Sequence, residues 1–207
     1  MKHSDRIAAV HAQDWPDRQP GRAADALPLS VGRRLVHAVA LTGAVAPSSK
    51  YLAEAMARAA QGATALVELG AGSGAVTRAL ARFFPGLRLV VVELRRDLAS
   101  GLRREFRGAE VHAAAAAVVL TRLSGLPAGT GIVSSLPFRS LPSAVKHDTV
   151  RSILGFLEGG PGRFMVQFTY YPGAPFRVPA GFTWRKVAFV ALNLPPATVW
   201  LLTPAGG

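Results

Sequence analysis

The glycine-rich segment at residues 67–74, Val-Glu-Leu-Gly-Ala-Gly-Ser-Gly, constrains the fold more than any other part of this sequence. Strand-like residues 65–68 run into the glycines, and residues 75–80 have helical composition. Glycine reaches positive φ without strain and leaves the backbone bare, while a following helix directs free N–H groups at a ligand. The segment therefore predicts a strand, a tight turn and a helix that bind a nucleoside-like cofactor.

The acidic residues around this loop narrow the choice of cofactor. A dinucleotide-binding loop reads G-x-G-x-x-G, whereas this one reads E-x-G-x-G-x-G, with Glu68 two residues before the first glycine. A second acidic residue is expected about 20 residues later to bind ribose hydroxyls, and Glu93 follows a buried apolar run there. The pattern resembles motif I of the class I S-adenosylmethionine-dependent methyltransferases. This resemblance implies S-adenosylmethionine as cofactor, bound by Glu68, Leu69, Gly70, Ala71, Gly72, Gly74, Glu93, Leu94 and Ser134.

Strand and helix patterns alternate after the glycine loop. There, helices are expected at 96–106 and 144–157, and strands at 110–112, 131–134 and 163–169; another helix is expected before the loop, at 51–60. Such alternation predicts an α/β fold with a doubly wound, mostly parallel sheet. Two last strands, 182–189 and 198–202, have no helix between them and predict a terminal hairpin, which would complete the seven-stranded sheet of a class I methyltransferase. A flexible tail is expected at 1–26 and a single domain at 27–207.

The positive charge indicates an anionic partner. The chain has 24 Lys and Arg against 12 Asp and Glu, a formal net charge of +12, which favours nucleic acid or an anionic lipid surface. Aromatic residues are not interleaved with the basic ones, as nucleic-acid binding would favour, and a compositional bias of the source also explains the arginines. Residues 27–42 have Arg33 and Arg34 beside an apolar face, which suits either a membrane-surface helix or an ordinary packed one.

Four further segments resemble the bacterial phospholipid N-methyltransferases. They are residues 43–49 (Gly-Ala-Val-Ala-Pro-Ser-Ser), 134–137 (Ser-Ser-Leu-Pro), 166–170 (Val-Gln-Phe-Thr-Tyr) and 194–200 (Leu-Pro-Pro-Ala-Thr-Val-Trp). The resemblance implies stepwise methylation of phosphatidylethanolamine toward phosphatidylcholine by a cytoplasmic protein, peripheral on the inner face of the cytoplasmic membrane. It favours the reading of 27–42 as a helix that binds anionic lipids. A monomer without metal or nucleic acid is expected.

The candidate catalytic and substrate-binding residues follow the last parallel strands. Tyr170 and Tyr171 have ring faces that attract a cationic headgroup, and Arg177 or Arg185 can bind a lipid phosphate. Ser135 stands where the rRNA adenine dimethylases have asparagine, which weakens the hypothesis of base methylation.

Other functions stay open at this point. Residues 111–117 after the third strand contain no carboxylate to bind the adenine amino group. RNA adenine N6-methylation, ornithine-lipid N-methylation and a non-catalytic membrane-surface protein therefore remain alternatives.

Overall fold

The structure is a computed structural model, and it describes residues 49–205. The expected tail 1–26, the segment 27–42 with Arg33 and Arg34, and most of the motif 43–49 lie outside the described residues. The boundary expected at residue 27 stays a prediction. The described elements are α1 (Lys50–Ala59), β1 (Leu66–Leu69), α2 (Ala75–Phe83), β2 (Leu89–Val92), α3 (Arg96–Glu105), β3 (Glu110–His112), α4 (Ala116–Arg122), β4 (Gly131–Ser134), α5 (Ser143–Glu158), β5 (Phe164–Thr169), β6 (Phe182–Val190) and β7 (Ala197–Pro204).

The strands form one seven-stranded sheet in the order β3-β2-β1-β4-β5-β7-β6. The first five strands of the chain pair in parallel, whereas β7 lies antiparallel between β5 and β6. This arrangement confirms the predicted doubly wound sheet with a terminal antiparallel hairpin. The order reverses between β1 and β4, which is where open α/β sheets bind their ligands.

Burial explains why the central strands are short apolar runs. Every residue of β1, β2 and β4 is buried, because helices cover both faces of a parallel sheet. Helix α1 buries Leu52 and Met56 in the main core cluster. The helix is capped by Ser49, whose Oγ accepts a hydrogen bond from the Leu52 N–H at 3.2 Å.

Helix α4 is an element that the sequence did not predict. Its seven residues begin within the alanine-rich run at 113–117 and include two β-branched valines, and seven residues are fewer than an isolated helix needs. The helix buries Val119 and Leu120 and packs on α5. Tertiary packing therefore stabilises a helix too short to form alone.

The direction of the hairpin brings its loop to the functional end of the sheet. Because β7 is antiparallel to both β5 and β6, β6 runs parallel to β5. The loop between β6 and β7 therefore lies at the same edge as the loops after β1 to β5. This edge, at which Leu69, Ser134, Thr169 and Val190 end their strands, is called the carboxyl edge below. Within residues 49–205, no helix is long and apolar enough to cross a membrane.

Candidate active site

Three glycines after β1 shape the loop at the carboxyl edge, each for a different steric reason. Gly70, at φ +75°, has no room for a side chain, because an added Cβ would lie 2.9 Å from Cδ2 of Leu136. Gly74, at φ +84°, lets α2 approach α3, because its Cβ would meet Leu102 at 2.9 Å. At Gly72, φ is +56° and no atom lies within 4 Å of such a Cβ. The middle of the loop is thus bare backbone beside open space.

Glu93 joins the end of β2 to the glycine loop. Its Oε2 accepts a hydrogen bond from the Gly72 N–H at 2.8 Å, and its Oε1 accepts one from the Arg95 N–H at 2.9 Å. A carboxylate oxygen can accept more than one hydrogen bond. Glu93, which is 8% exposed, can therefore orient the loop and still accept hydrogen bonds from hydroxyls of a ligand.

Glu68 is a fully buried carboxyl group beneath the loop. Burial raises its pKa to about 7, the interaction with Thr77 lowers it, and Glu93 raises it further. Neither carboxyl oxygen completes a hydrogen bond of normal geometry, and the Thr77 hydroxyl completes none either. A buried polar group normally has a partner, so this pair indicates a site whose hydrogen bonds are completed by a ligand or by water.

These features fit S-adenosylmethionine. The loop offers bare backbone at Gly72, Glu93 offers acceptors for ribose hydroxyls, and α2 begins without a side-chain cap, which leaves N–H groups at its first turn. Of the other expected cofactor residues, Leu69, Ala71 and Ser134 are buried at the carboxyl edge, whereas Leu94 is 68% exposed. The structure thus brings the expected cofactor residues to one edge, and the contact of each with the cofactor stays a prediction.

The segment after β4 forms the next wall. The Ser135 N–H donates to the Leu69 carbonyl at 2.9 Å, which extends the pairing of β4 with β1 past its last residue. The Gln167 side chain, 2% exposed, donates from Nε2 to the Leu136 carbonyl at 3.2 Å. Ser135 is thereby held next to the glycine loop, because Leu136 also contacts Gly70.

Tyr170 lies between the core and the β6–β7 loop. Its ring packs edge-on against Phe168, with centroids 5.1 Å apart. Burial raises the pKa of the Tyr170 phenol, and an interaction with the Asn193 amide counteracts part of this rise. The Asn193 Oδ1 in turn accepts a hydrogen bond from the Ser49 N–H at 3.2 Å. Tyr170 is therefore a neutral, positioned phenol at pH 7, suited to hydrogen bonding more than to removing a proton.

Tyr171 holds an arginine that the sequence did not single out. The Arg139 guanidinium lies over the Tyr171 ring, 4.2 Å from its centroid. The Tyr171 hydroxyl donates to the Pro175 carbonyl at 3.1 Å, which closes the loop after β5. Burial raises the pKa of Tyr171, and the charge of Arg139 lowers it. One face of this ring therefore already binds a cation of the protein.

Arg177 and Arg185 occupy different places from Arg139. Arg177 is exposed in the loop between β5 and β6. Arg185 pairs with Leu201, which pairs with Val166 in the middle of β5, so Arg185 lies halfway along the hairpin and below the carboxyl edge. Arg139 thus contacts a predicted site tyrosine, although the sequence did not single it out.

The residues that sequence reasoning missed were Arg139, Gln167 and Asn193. Arg139 had a weak signal, because it is a basic residue two positions after the Leu-Pro pair of a recognised motif. Gln167 lay inside a quoted motif, but its polar side chain on a buried strand received no role. Asn193 gave no sequence signal, because its partner Ser49 is 144 residues away.

Gly72→Val is expected to abolish binding of S-adenosylmethionine, because the new side chain would project into the open space beside the glycine loop. Gly62→Val is the matched control: Gly62 also has positive φ, at +88°, with nothing within 4 Å of a Cβ, but it lies in the turn after α1. Both variants should lose similar stability in urea, whereas calorimetry should show lost binding only for Gly72→Val. Equal binding by the two variants would contradict the role of the loop.

Glu68 is expected to make the protein without cofactor less stable as pH rises. Its pKa is about 7 in the folded protein against a usual value of 4.5, so folding favours the protonated carboxyl. The free energy of unfolding should therefore fall by roughly 3 kcal/mol between about pH 4.5 and pH 7 and change little from this group above that. Urea denaturation across this range should show that Glu68→Gln removes this part of the slope. Parallel profiles for the two proteins would contradict it.

Comparison with known proteins places this geometry in a family. The chain is 32% identical over 179 residues to the ornithine lipid N-methyltransferase of Singulisphaera acidiphila, which covers 82% of this chain and 91% of the relative. No protein-family model matches the chain.

Two solved structures share the fold. Cofactor-bound Rv0187 from MTB superposes with a TM-score of 0.58 and 17% identity, over 89% of this chain and all of the other. The 23S rRNA methyltransferase ErmE superposes with a TM-score of 0.51 and 20% identity, over 74% of this chain and 67% of the other. The relative and the fold confirm the resemblance that the motifs indicated. This chain belongs to the family of bacterial lipid N-methyltransferases, with the class I fold and S-adenosylmethionine as its cofactor.

Proposed function

We propose that the protein methylates the primary amine of a zwitterionic aminolipid at the surface of the cytoplasmic membrane. The candidate substrates in this class are phosphatidylethanolamine and ornithine lipid. The resemblance of four motifs to phospholipid N-methyltransferases supports the first, with successive transfers toward phosphatidylcholine, and the relative's named substrate supports the second. Both headgroups have a primary amine within a few bonds of an anion, a phosphate in one and a carboxylate in the other.

The cation–π pair of Arg139 and Tyr171 is the observation that carries the proposal. A guanidinium can bind phosphate or carboxylate with two parallel hydrogen bonds, and its five N–H donors are not all used by a contact with one tyrosine. Arg139 follows the segment that contacts the glycine loop, four residues after Ser135. An anion bound at Arg139 would therefore leave the amine of the same headgroup near Ser135 and Tyr170.

The reaction needs positioning more than acid–base chemistry from the protein. S-adenosylmethionine supplies an electrophilic methyl group on a sulfonium. The ammonium of the headgroup would first lose a proton to water, and the neutral amine would then take the methyl group as the neutral sulfide leaves; the methylated ammonium would lose a proton to water before another transfer. Tyr170, a protonated phenol with its pKa raised by burial, can accept a hydrogen bond from the amine and present its ring to the methylated cation. Ser135 can orient the same nitrogen, and the walls around it exclude water.

Peripheral binding at the inner face of the membrane is part of the proposal. A lipid with long acyl chains stays in the bilayer, so the protein must approach the bilayer to reach the amine. The formal net charge of +12 favours an anionic surface. Arg33 and Arg34, in the segment 27–42, are proposed to contribute to this attraction.

The test is incubation of the purified protein with radiolabelled S-adenosylmethionine and vesicles, followed by separation of the lipids. Three samples are compared: vesicles with phosphatidylethanolamine, vesicles with ornithine lipid, and ribosomal RNA. Label in one or both lipids supports the proposal, identifies the substrate and shows how many methyl groups are added. Label in RNA alone would refute it.

Arg139→Ala is expected to weaken the use of lipid substrate selectively. Loss of a charge-assisted bidentate contact should lower kcat/KM for the lipid by about tenfold to a hundredfold, mostly through KM. Binding of S-adenosylmethionine, measured by calorimetry, should be unchanged. The control is Arg185→Ala, which removes the same charge from the middle of the hairpin and should keep normal kinetics. Equal effects of the two substitutions would indicate a general effect of charge and refute the assigned role.

A further inference from the structure

Among residues 49–205, the large apolar side chains that are exposed all lie at one edge of the sheet. Seven such side chains are more than a third exposed among residues 49–205. They are Tyr51 (44%), Leu94 (68%), Val118 (40%), Val145 (48%), Phe189 (66%), Leu192 (70%) and Leu194 (80%). The topology places every one of them at the carboxyl edge.

Helix starts account for three of the seven. A helix that follows a parallel strand begins at the carboxyl edge, and Val118 and Val145 are each the third residue of such a helix, α4 and α5. Helix α1 leads into the amino end of β1, so its own beginning, with Tyr51 as second residue, is also at the carboxyl edge. These side chains therefore lie within the first helical turn from that edge.

Strand ends account for the other four. Leu94 comes two residues after the end of β2, and Phe189 is the second-last residue of β6. Leu192 and Leu194 are in the loop that joins β6 to β7. The opposite, amino edge has no large exposed apolar side chain among the described residues. Exposed apolar side chains that share one edge of the described part make that edge a candidate interaction site.

The β6–β7 loop is built to hold its leucines outward. Asn193, between them, is 5% exposed. It accepts a hydrogen bond from the Ser49 N–H at 3.2 Å and donates to the Pro195 carbonyl at 2.7 Å. In the turn formed by residues 191–195, the inward Asn193 is flanked by Leu192 and Leu194, which project into solvent at 70% and 80% exposure.

The chemistry around this loop favours a bilayer as the partner. Residues 1–48 join the described part at Ser49, which is hydrogen-bonded to the loop, and their sequence contains Arg33 and Arg34. Lys50 lies beside the loop as well, with its amine 5.0 Å from the centre of the Tyr51 ring. Leucines suit the acyl layer of an anionic membrane, cationic residues suit its headgroup layer, and aromatic residues suit the interface between the two.

We propose that the carboxyl edge is the membrane-facing surface and that Leu192 and Leu194 insert into the acyl layer, so that the lipid amine reaches the site without leaving the bilayer. This inference rests on the proposed function, since a lipid substrate gives the edge its partner. It adds a second, apolar contact to the electrostatic one expected of residues 27–42.

The test compares two double variants of the full chain. Leu192→Asp with Leu194→Asp places two negative charges at the carboxyl edge, and Gln61→Asp with Ser124→Asp places the same charges at exposed positions of the amino edge. Binding to vesicles of phosphatidylethanolamine or ornithine lipid with phosphatidylglycerol is measured by sedimentation. Salt at about 1 M shortens the screening length to about 3 Å and so isolates the apolar contribution.

The leucine variant should bind vesicles about a hundredfold more weakly, which is about tenfold for each leucine. Its methylation of vesicle lipid should fall in parallel, while activity on a short-chain lipid below its critical micelle concentration should be unchanged. The amino-edge variant should match the natural protein in both assays.

Unchanged vesicle binding by the leucine variant would overturn the inference, and so would a dimer of the natural protein that the leucine substitutions dissociate, since a second copy would then cover the edge. The proposed function fails separately. If vesicle binding depends on the leucines but neither vesicle lipid nor short-chain lipid is methylated, the membrane-facing surface is supported and the proposed reaction is refuted.

Discussion

The backbone hydrogen bonds that hold β1 between β2 and β4 support everything else in this protein. They place the ends of three strands side by side, so that the glycine loop, Glu93 and Ser135 meet although they are far apart in sequence. The pairing continues past the strands, since the Ser135 N–H donates to the Leu69 carbonyl. A parallel sheet collects its loops at one edge in this way, and a cofactor and a substrate can then share that edge.

The site combines open space beside the backbone of Gly72 with two carboxyl groups in different surroundings. Glu93 accepts two backbone hydrogen bonds beside the glycine loop, whereas Glu68 is buried beneath the loop with both carboxyl oxygens unsatisfied. The same side chain type therefore orients the loop in one place, whereas burial raises its pKa to about 7 in the other. The cost of burying Glu68 is a form of strain that a bound ligand can relieve.

On the proposed substrate side of the site, a polar or aromatic side chain positions each of three segments. Gln167 holds the segment after β4, Tyr171 holds Arg139, and Asn193 holds the β6–β7 loop against Ser49. Apolar side chains surround this polar centre at the carboxyl edge and project outward. An amphipathic arrangement of this kind suits a substrate whose headgroup enters a polar site while its acyl chains remain in a membrane.

Sequence alone determined the features that depend on local pattern. The glycine loop, its flanking acidic residues, the parallel strands and the terminal hairpin were all predicted, because spacing and periodicity report directly on turns and buried faces. Helix α4 was missed, since its stability comes from packing on α5 rather than from propensity. Only the tertiary structure decided that Arg139 lies over Tyr171, that Asn193 joins Ser49 and that the exposed apolar side chains share one edge. These relations join residues distant in the chain, and the order of the strands in the sheet, which no local pattern encodes, brings them together.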